Sequence, residues 1–286
     1  MSLALHATRR RTETLDLTPE PTLAARQRMA LRDLRAAMGQ WRLCSVLAWL
    51  DIKLRYRGSV LGPFWLTLST AAMVGAMGFL YAALFHMDLH DYLPYLALSL
   101  VLWGFVGTII GDACQTFTAS EGMIRAMRLP FTLYGGRIVL RNVLVLAHNL
   151  IVIVVVFAIF RIVPGPAGLL AVPGFAFWLL DGLALCLLLG AVCARFRDIP
   201  PIVNSVLQMI FFVTPVIWKP EAVGPTRQWL LPFNPFFSLL EVVRGPLLGT
   251  IPSAAVYVSA IGSSLLLWAL AWLLFARVRG RIAFWL

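Results

Sequence analysis

The sequence predicts an all-helical integral membrane protein with six spans, and three features carry that prediction. First, 60% of its 286 residues are hydrophobic and only 13% are charged, against about a quarter charged in an ordinary soluble domain. Mean hydropathy is +0.84. Second, several apolar runs reach the roughly 20 residues a helix needs to cross about 30 Å of hydrocarbon. Third, those runs lack the period-2 alternation of a barrel strand, and in lipid a helix satisfies its own backbone groups.

In chain order, residues 1–29 have no apolar core of the length a cleavable signal requires, and they read as a retained, disordered tail. Residues 30–57 follow as an amphipathic helix. Leu31, Leu34, Met38 and Trp41 recur at helical spacing, and Leu43, Val46, Leu47, Leu50 and Leu54 continue the apolar face. Such a helix suits the membrane interface. At Tyr56, Arg57, Gly58 and Ser59 the chain must turn sharply into the first span. Gly58 supplies the permissive backbone, and Gly62 with Pro63 opens the span.

The spans fall at about 63–85, 92–114, 138–160, 168–193, 201–218 and 254–276. Pro164 and Pro166 punctuate the third connection, and Pro200 and Pro201 the fourth. Between the last two spans, residues 219–252 are rich in Trp, Phe and Leu yet broken by six prolines. Their apolar pieces are too short to span, so a re-entrant or interfacial helical segment at the outer face is expected.

Basic residues orient the chain. With the amino terminus inside, the inner segments hold twenty Lys and Arg and the outer segments four. Both termini are therefore expected in the cytoplasm. This distribution also gives the net charge of +11 a membrane meaning rather than a nucleic-acid one. Cys44, Cys114, Cys186 and Cys193 lie in or beside helices and read as small core residues, not a disulfide framework.

No phosphate-cradling G-x-x-x-x-G-K-[ST] occurs, so ATP-driven transport would need ATP hydrolysis on another chain. The run YRGSVLGPFW from Tyr56, RFRDIPPIV from Arg195, TPVIW ending at Trp218 and LPFNPFFSLLEVVRG from Leu231 resemble the type-2 ABC-transporter permeases that export O-antigen, capsule and teichoic acid. The resemblance covers about residue 40 to the end. It implies a homodimer in the bacterial inner membrane, two separate ATPase subunits that carry ATP and Mg, no cofactor on this chain, and a glycan channel between the two copies.

Topology and the resemblance point to one coupling site. The loop holding Ser120, Glu121, Gly122, Met123, Ile124, Arg125 and Arg128 is the inner loop long enough for a short helix, and it is expected to dock on the ATPase. Among the aromatic residues, Trp218, Phe236 and Phe237 are the channel or outer-gate candidates that the resemblance suggests. Asp181 lies mid-span, where an acid costs about 2.5–3.5 kcal/mol and faces protein or a water path. His148 and Asn149, at similar depth, are its expected partners.

The loop HMDLHD holds His86, Asp88, His90 and Asp91, and could be read as metal ligands or an acyltransferase pattern. It is too short for a substrate pocket and reads as a solvated connector. Two other functions share the composition: a drug or lipid exporter of the same architecture, and a membrane-embedded acyl or glycosyl transferase. The latter needs clustered acids or histidines, whereas the acids here are scattered.

Overall fold

A computed structural model describes residues 22–59, 62, 64–84 and 86–286. Among them every regular element is helical. Residues 1–21 of the expected disordered tail lie outside the described residues. The remainder of that tail is not loose, because helix α1 begins at Leu23, capped by the Thr22 hydroxyl. The amphipathic segment is two helices rather than one: α1 (Leu23–Gly39) and α2 (Trp41–Arg55), broken at Gln40. Met38, Trp41, Val46, Trp49 and Leu54 are exposed beside exposed Arg35, Arg42 and Lys53. This is the surface an interfacial helix presents to lipid and headgroup.

The long helices are α3 (Phe64–Leu84), α4 (Leu89–Cys114), α6 (Phe131–Ile159), α7 (Ala171–Arg195) and α10 (Ala254–Val278), and each belongs to an apolar stretch long enough to cross a membrane. Between them lie α5 (Glu121–Ala126), α8 (Ile199–Val213) and α9 (Pro235–Leu247), and α11 (Ile282–Trp285) closes the chain. Two boundaries differ from expectation. Helix α6 starts seven residues before position 138, at Phe131, where Asp33 accepts its first amides. Helix α8 stops at Val213 instead of 218. Thr214 is extended, as the residue before Pro215 prefers to be.

Helix α4 is the centre of the bundle. Its run from Tyr92 to Leu102 is almost wholly buried against α3, α6, α7 and α9. Small residues let the helices approach. A Cβ at Gly190 would stand 2.9 Å from Thr116, and one at Gly174 would stand 3.0 Å from the Val242 carbonyl. By contrast α3 and α8 turn most of their surface outward, including Phe64, Trp65, Phe79, Ile202, Met209 and Phe212.

The bundle has two distinct ends. At one, called here the α5 end, Ala30, Phe117, Tyr134, Ala191, Ala194 and Phe275 pack together. They bring α1, the start of α6 and the final turns of α4, α7 and α10 to the same level. At the other, the α9 end, the first turns of α4 meet residues 214–218. Helix α8 therefore runs from beside Arg195 at the α5 end to the α9 end. Its 15 residues cover about 22 Å at 1.5 Å per residue.

Candidate functional site

An open face runs along α4 and α8. Val203, Leu207 and Phe211, at helical spacing, hold α8 to the core. The other side of α8 exposes Asn204, Ser205, Gln208 and Met209. On α4, Gly104 and Thr108 are exposed next to half-buried Gly107 and Gly111, and Gln115, just past its end, is exposed too. The helices touch closely here, with Asn204 Oδ1 3.8 Å from the place a Cβ on Gly111 would occupy. Thr108 satisfies its hydroxyl on the Gly104 carbonyl at 2.8 Å, and Ser205 on the Pro201 carbonyl at 3.0 Å. Asn204 and Gln208 are exposed residues of the same face, with the Asn204 amide oxygen beside Gly111.

At the α9 end the segment 214–218 is irregular, and tyrosine hydroxyls of α4 satisfy three of its backbone carbonyls. Tyr95 Oη donates to the carbonyls of Pro215 at 2.9 Å and Trp218 at 3.0 Å, and Tyr92 Oη to that of Ile217 at 2.7 Å. Arg244 is completely buried. Its guanidinium lies over the Tyr95 ring with 4.5 Å to the centroid, pairs with Glu241, and donates to the Pro215 carbonyl and to Ser99 Oγ at 2.9 Å. Asn234 caps α9 through the amides of Phe236 and Phe237, and donates to Thr214 Oγ1 at 2.9 Å. Sequence reading assigns Arg244 no role. Its spacing from Glu241 was the available signal.

The three aromatic gate candidates separate here. Phe237 is 5% exposed and packs with Val242, Val256 and Ala260, so it faces the chain's own core and no opening. Phe236 is half-buried against Trp103. Trp218 is half-buried, its indole donating to the Phe212 carbonyl at 3.0 Å. The rings that stand open at this end are Phe212, Trp229 and Phe233.

At the opposite end, the coupling candidates form a 3-10 turn, Thr118–Ser120, and helix α5. Ser120 is buried. Met123 and Ile124 turn inward onto the cluster of Phe117, Tyr134 and Phe275, while Gly122, Arg125 and Arg128 are exposed. Glu121 and Arg125 pair across one helical turn at 2.7 Å. Beneath α5, two acids that sequence reading passed over hold the end together. Asp33 of α1 accepts the Phe131 and Thr132 amides and the Thr132 hydroxyl, and pairs with Arg279 at 2.8 Å. Asp51 of α2 takes Arg137 in a two-point grip.

Asp181 is 5% exposed, and its partner is neither expected residue: Ser264 of α10 donates to it at 2.7 Å. His148 instead bonds the Leu144 carbonyl on its own helix, and Asn149 Oδ1 is buried without a partner. Ser264 was missed as that partner because serines in an apolar run give no sequence cue to the direction they face. Gly58 is left-handed at φ 85°, and Ser59 Oγ accepts the Gly62 amide at 3.1 Å. Val60, Leu61 and Pro63 lie outside the described residues. In the HMDLHD loop, Asp88 caps α4 through the His90 amide. Among the described residues no group of three or more His, Cys, Asp or Glu is placed to hold a metal.

Comparison with known proteins assigns this architecture. The family model described as "ABC-2 type transporter" matches residues 42–248. An "O-antigen export system permease protein RfbA" of Myxococcus xanthus is 24% identical over 198 residues, which is 66% of this chain and 74% of that protein. Two Klebsiella pneumoniae proteins of the same name are 20% and 21% identical over 191 residues, with the same coverage. A family match over more than half of a helical, apolar chain shows that it belongs to the ABC-2 type transporter family, as a multi-pass membrane subunit that works with an ATP-binding partner.

Proposed function

We propose that this chain is the permease of an ATP-driven exporter that moves a polysaccharide or lipid-linked glycan outward across the bacterial inner membrane. The observation that carries the reading is the open face of α4 and α8, where small and amide-bearing residues stand exposed at membrane depth. Apposed to a second copy, such a face lines a wetted path whose donors and acceptors suit hydroxyl-rich cargo better than a hydrophobic drug or free lipid. The names of the relatives point the same way. An acyl or glycosyl transferase would need converging acids or histidines, and the acids assigned here hold helices together.

In this reading the α5 end is cytoplasmic, as are both termini, following the excess of basic residues there. Helix α8 with residues 214–218 is the fifth of six crossings. Its passage between the two ends of the bundle supports that count. Residues 219–252, with α9, form the re-entrant segment at the outer mouth, where Trp218, Phe236 and the open rings offer apolar faces to a sliding glycan. The α1–α2 pair rests on anionic lipid headgroups. Two ATPase subunits carry ATP and Mg and dock on α5, and nucleic acid has no part.

The test is deletion of the gene in its native host. Surface glycan is expected to fall, with polymer or lipid-linked precursor accumulating inside, and an intact copy should restore it. Normal surface glycan in the deletion strain would refute the assignment.

A further inference from the structure

One cluster of charge has no part in the open face. Arg137 and Arg141 are one helical turn apart on the same side of α6, between an acid from α2 and an acid from α4. Arg137 Nε lies 2.7 Å from Asp51 Oδ2, and its second nitrogen grips the other Asp51 oxygen. Arg141 reaches Asp51 at 3.5 Å and Asp112 at 2.7 Å. Asn142 Nδ2 adds a contact to Asp112 at 2.8 Å. The four charged side chains are 12–25% exposed, and two positive and two negative charges cancel.

The same Arg137 also touches α5. Its Nη1 is 3.9 Å from Met123 Sδ, one of the two α5 side chains turned toward the chain's own core. Helix α5 has six residues, and α2 packs on α6 with Cys44 against Gly136. A shift of α5 therefore presses on a side chain whose planar fork is locked to α2 at two points.

We propose that Arg137 and Arg141, held between Asp51 and Asp112, are positioning residues that carry movement of α5 to α2 and α4 during ATP-driven transport. The inference rests on the exporter reading above and adds to it the route by which closure of the partner reaches the membrane. Energetic coupling between distant sites needs a contiguous element with two arrangements. Here a fork that holds two helices while contacting a third supplies the contiguity.

The test uses the full complex with its ATP-binding subunit, in Arg137→Met, Asp51→Asn and Arg137→Lys forms. Three quantities are read: ATP hydrolysis by the purified complex, hexose extracted from the cell surface, and the SDS midpoint of unfolding. Arg137→Met and Asp51→Asn are expected to hydrolyse ATP within about twofold of the parent while surface hexose falls at least about tenfold. Arg137→Lys, which keeps the charge and loses the fork, is expected to assemble fully and export at an intermediate level. Normal export by Arg137→Met overturns the proposal. So does a loss of export matched in all three variants by equal loss of hydrolysis and folded complex, since that describes a staple and not a link. A hydrolysis-dead partner in the parent background separates the two levels. If surface hexose survives there, the exporter reading fails and the link falls with it.

Discussion

Replacing Asp33 with Ala removes a cap that belongs to another helix. The N-terminus of α6 begins at Phe131, where Pro130 supplies no side-chain acceptor, so the Phe131 and Thr132 amides depend on Asp33 at 3.1 and 2.8 Å. The Asp33 side chain is fully buried, and water cannot take its place without rearrangement. Loss of an N-cap costs about 0.5–2 kcal/mol, and a buried donor left unsatisfied about 1–3 kcal/mol. These contributions overlap, so Asp33→Ala should destabilise the chain by about 2–4 kcal/mol. Asp33→Asn keeps one acceptor and should lose about half as much. Unfolding by SDS titration of the purified chain measures both. An Arg279→Ala partner completes a double-mutant cycle, with a coupling of about 1–3 kcal/mol expected for a shared network. If Asp33→Ala lies within about 0.5 kcal/mol of the parent, the amides are not dependent on this carboxylate and the capping argument fails.

Arg244→Met should cost about 3–5 kcal/mol, because it removes the cationic partner of Glu241 and a buried donor shared by Ser99 Oγ and the Pro215 carbonyl; equal yield and unfolding midpoint would contradict this. Gly58→Val should destabilise by about 1–3 kcal/mol at its left-handed φ, with Gly58→Asn milder; equal midpoints for both would refute a backbone requirement. Exchanging Glu121 and Arg125 preserves their mutual pair at a cost of a few tenths of a kcal/mol, so folding should stand while docking of the ATPase and export both fall; normal co-purification and export remove α5 from the partner surface. Burial pushes the Cys44 thiol up to about 11, with Arg137 opposing more weakly. It should therefore resist maleimide at pH 7 in the folded chain and react after denaturation, and rapid native labelling would refute its packing against Gly136.

Hydropathy located the five long apolar helices because burial in lipid acts on averages over twenty residues, and averages survive local exceptions. It failed where a residue's meaning depends on a distant partner. The first turns of α6 were not foreseen because its first amides are capped by Asp33 of α1, distant in sequence. The break at Gln40 was missed because both sides of it are amphipathic at the same period. The hinge at Tyr56–Ser59 was legible for the opposite reason: a left-handed glycine is a local requirement, and local requirements are written in the residue itself.

The same distinction governs the site. Asp181 was recognisable as a residue needing a polar neighbour, since the cost of an intramembrane acid is independent of the fold. Its partner was not recognisable, because depth alone ranks His148 and Ser264 equally and only helix rotation chooses between them. The aromatic residues show this more sharply. Phe236 and Phe237 are adjacent in sequence, yet the Asn234 cap fixes the start of α9 so that one ring meets Trp103 and the other enters the core. A single cap thus settles which of two identical side chains faces the α4–α8 side of the bundle. Moving that cap by one residue would rotate α9 by about 100° and exchange their surroundings, which is why composition could nominate the pair but not separate it.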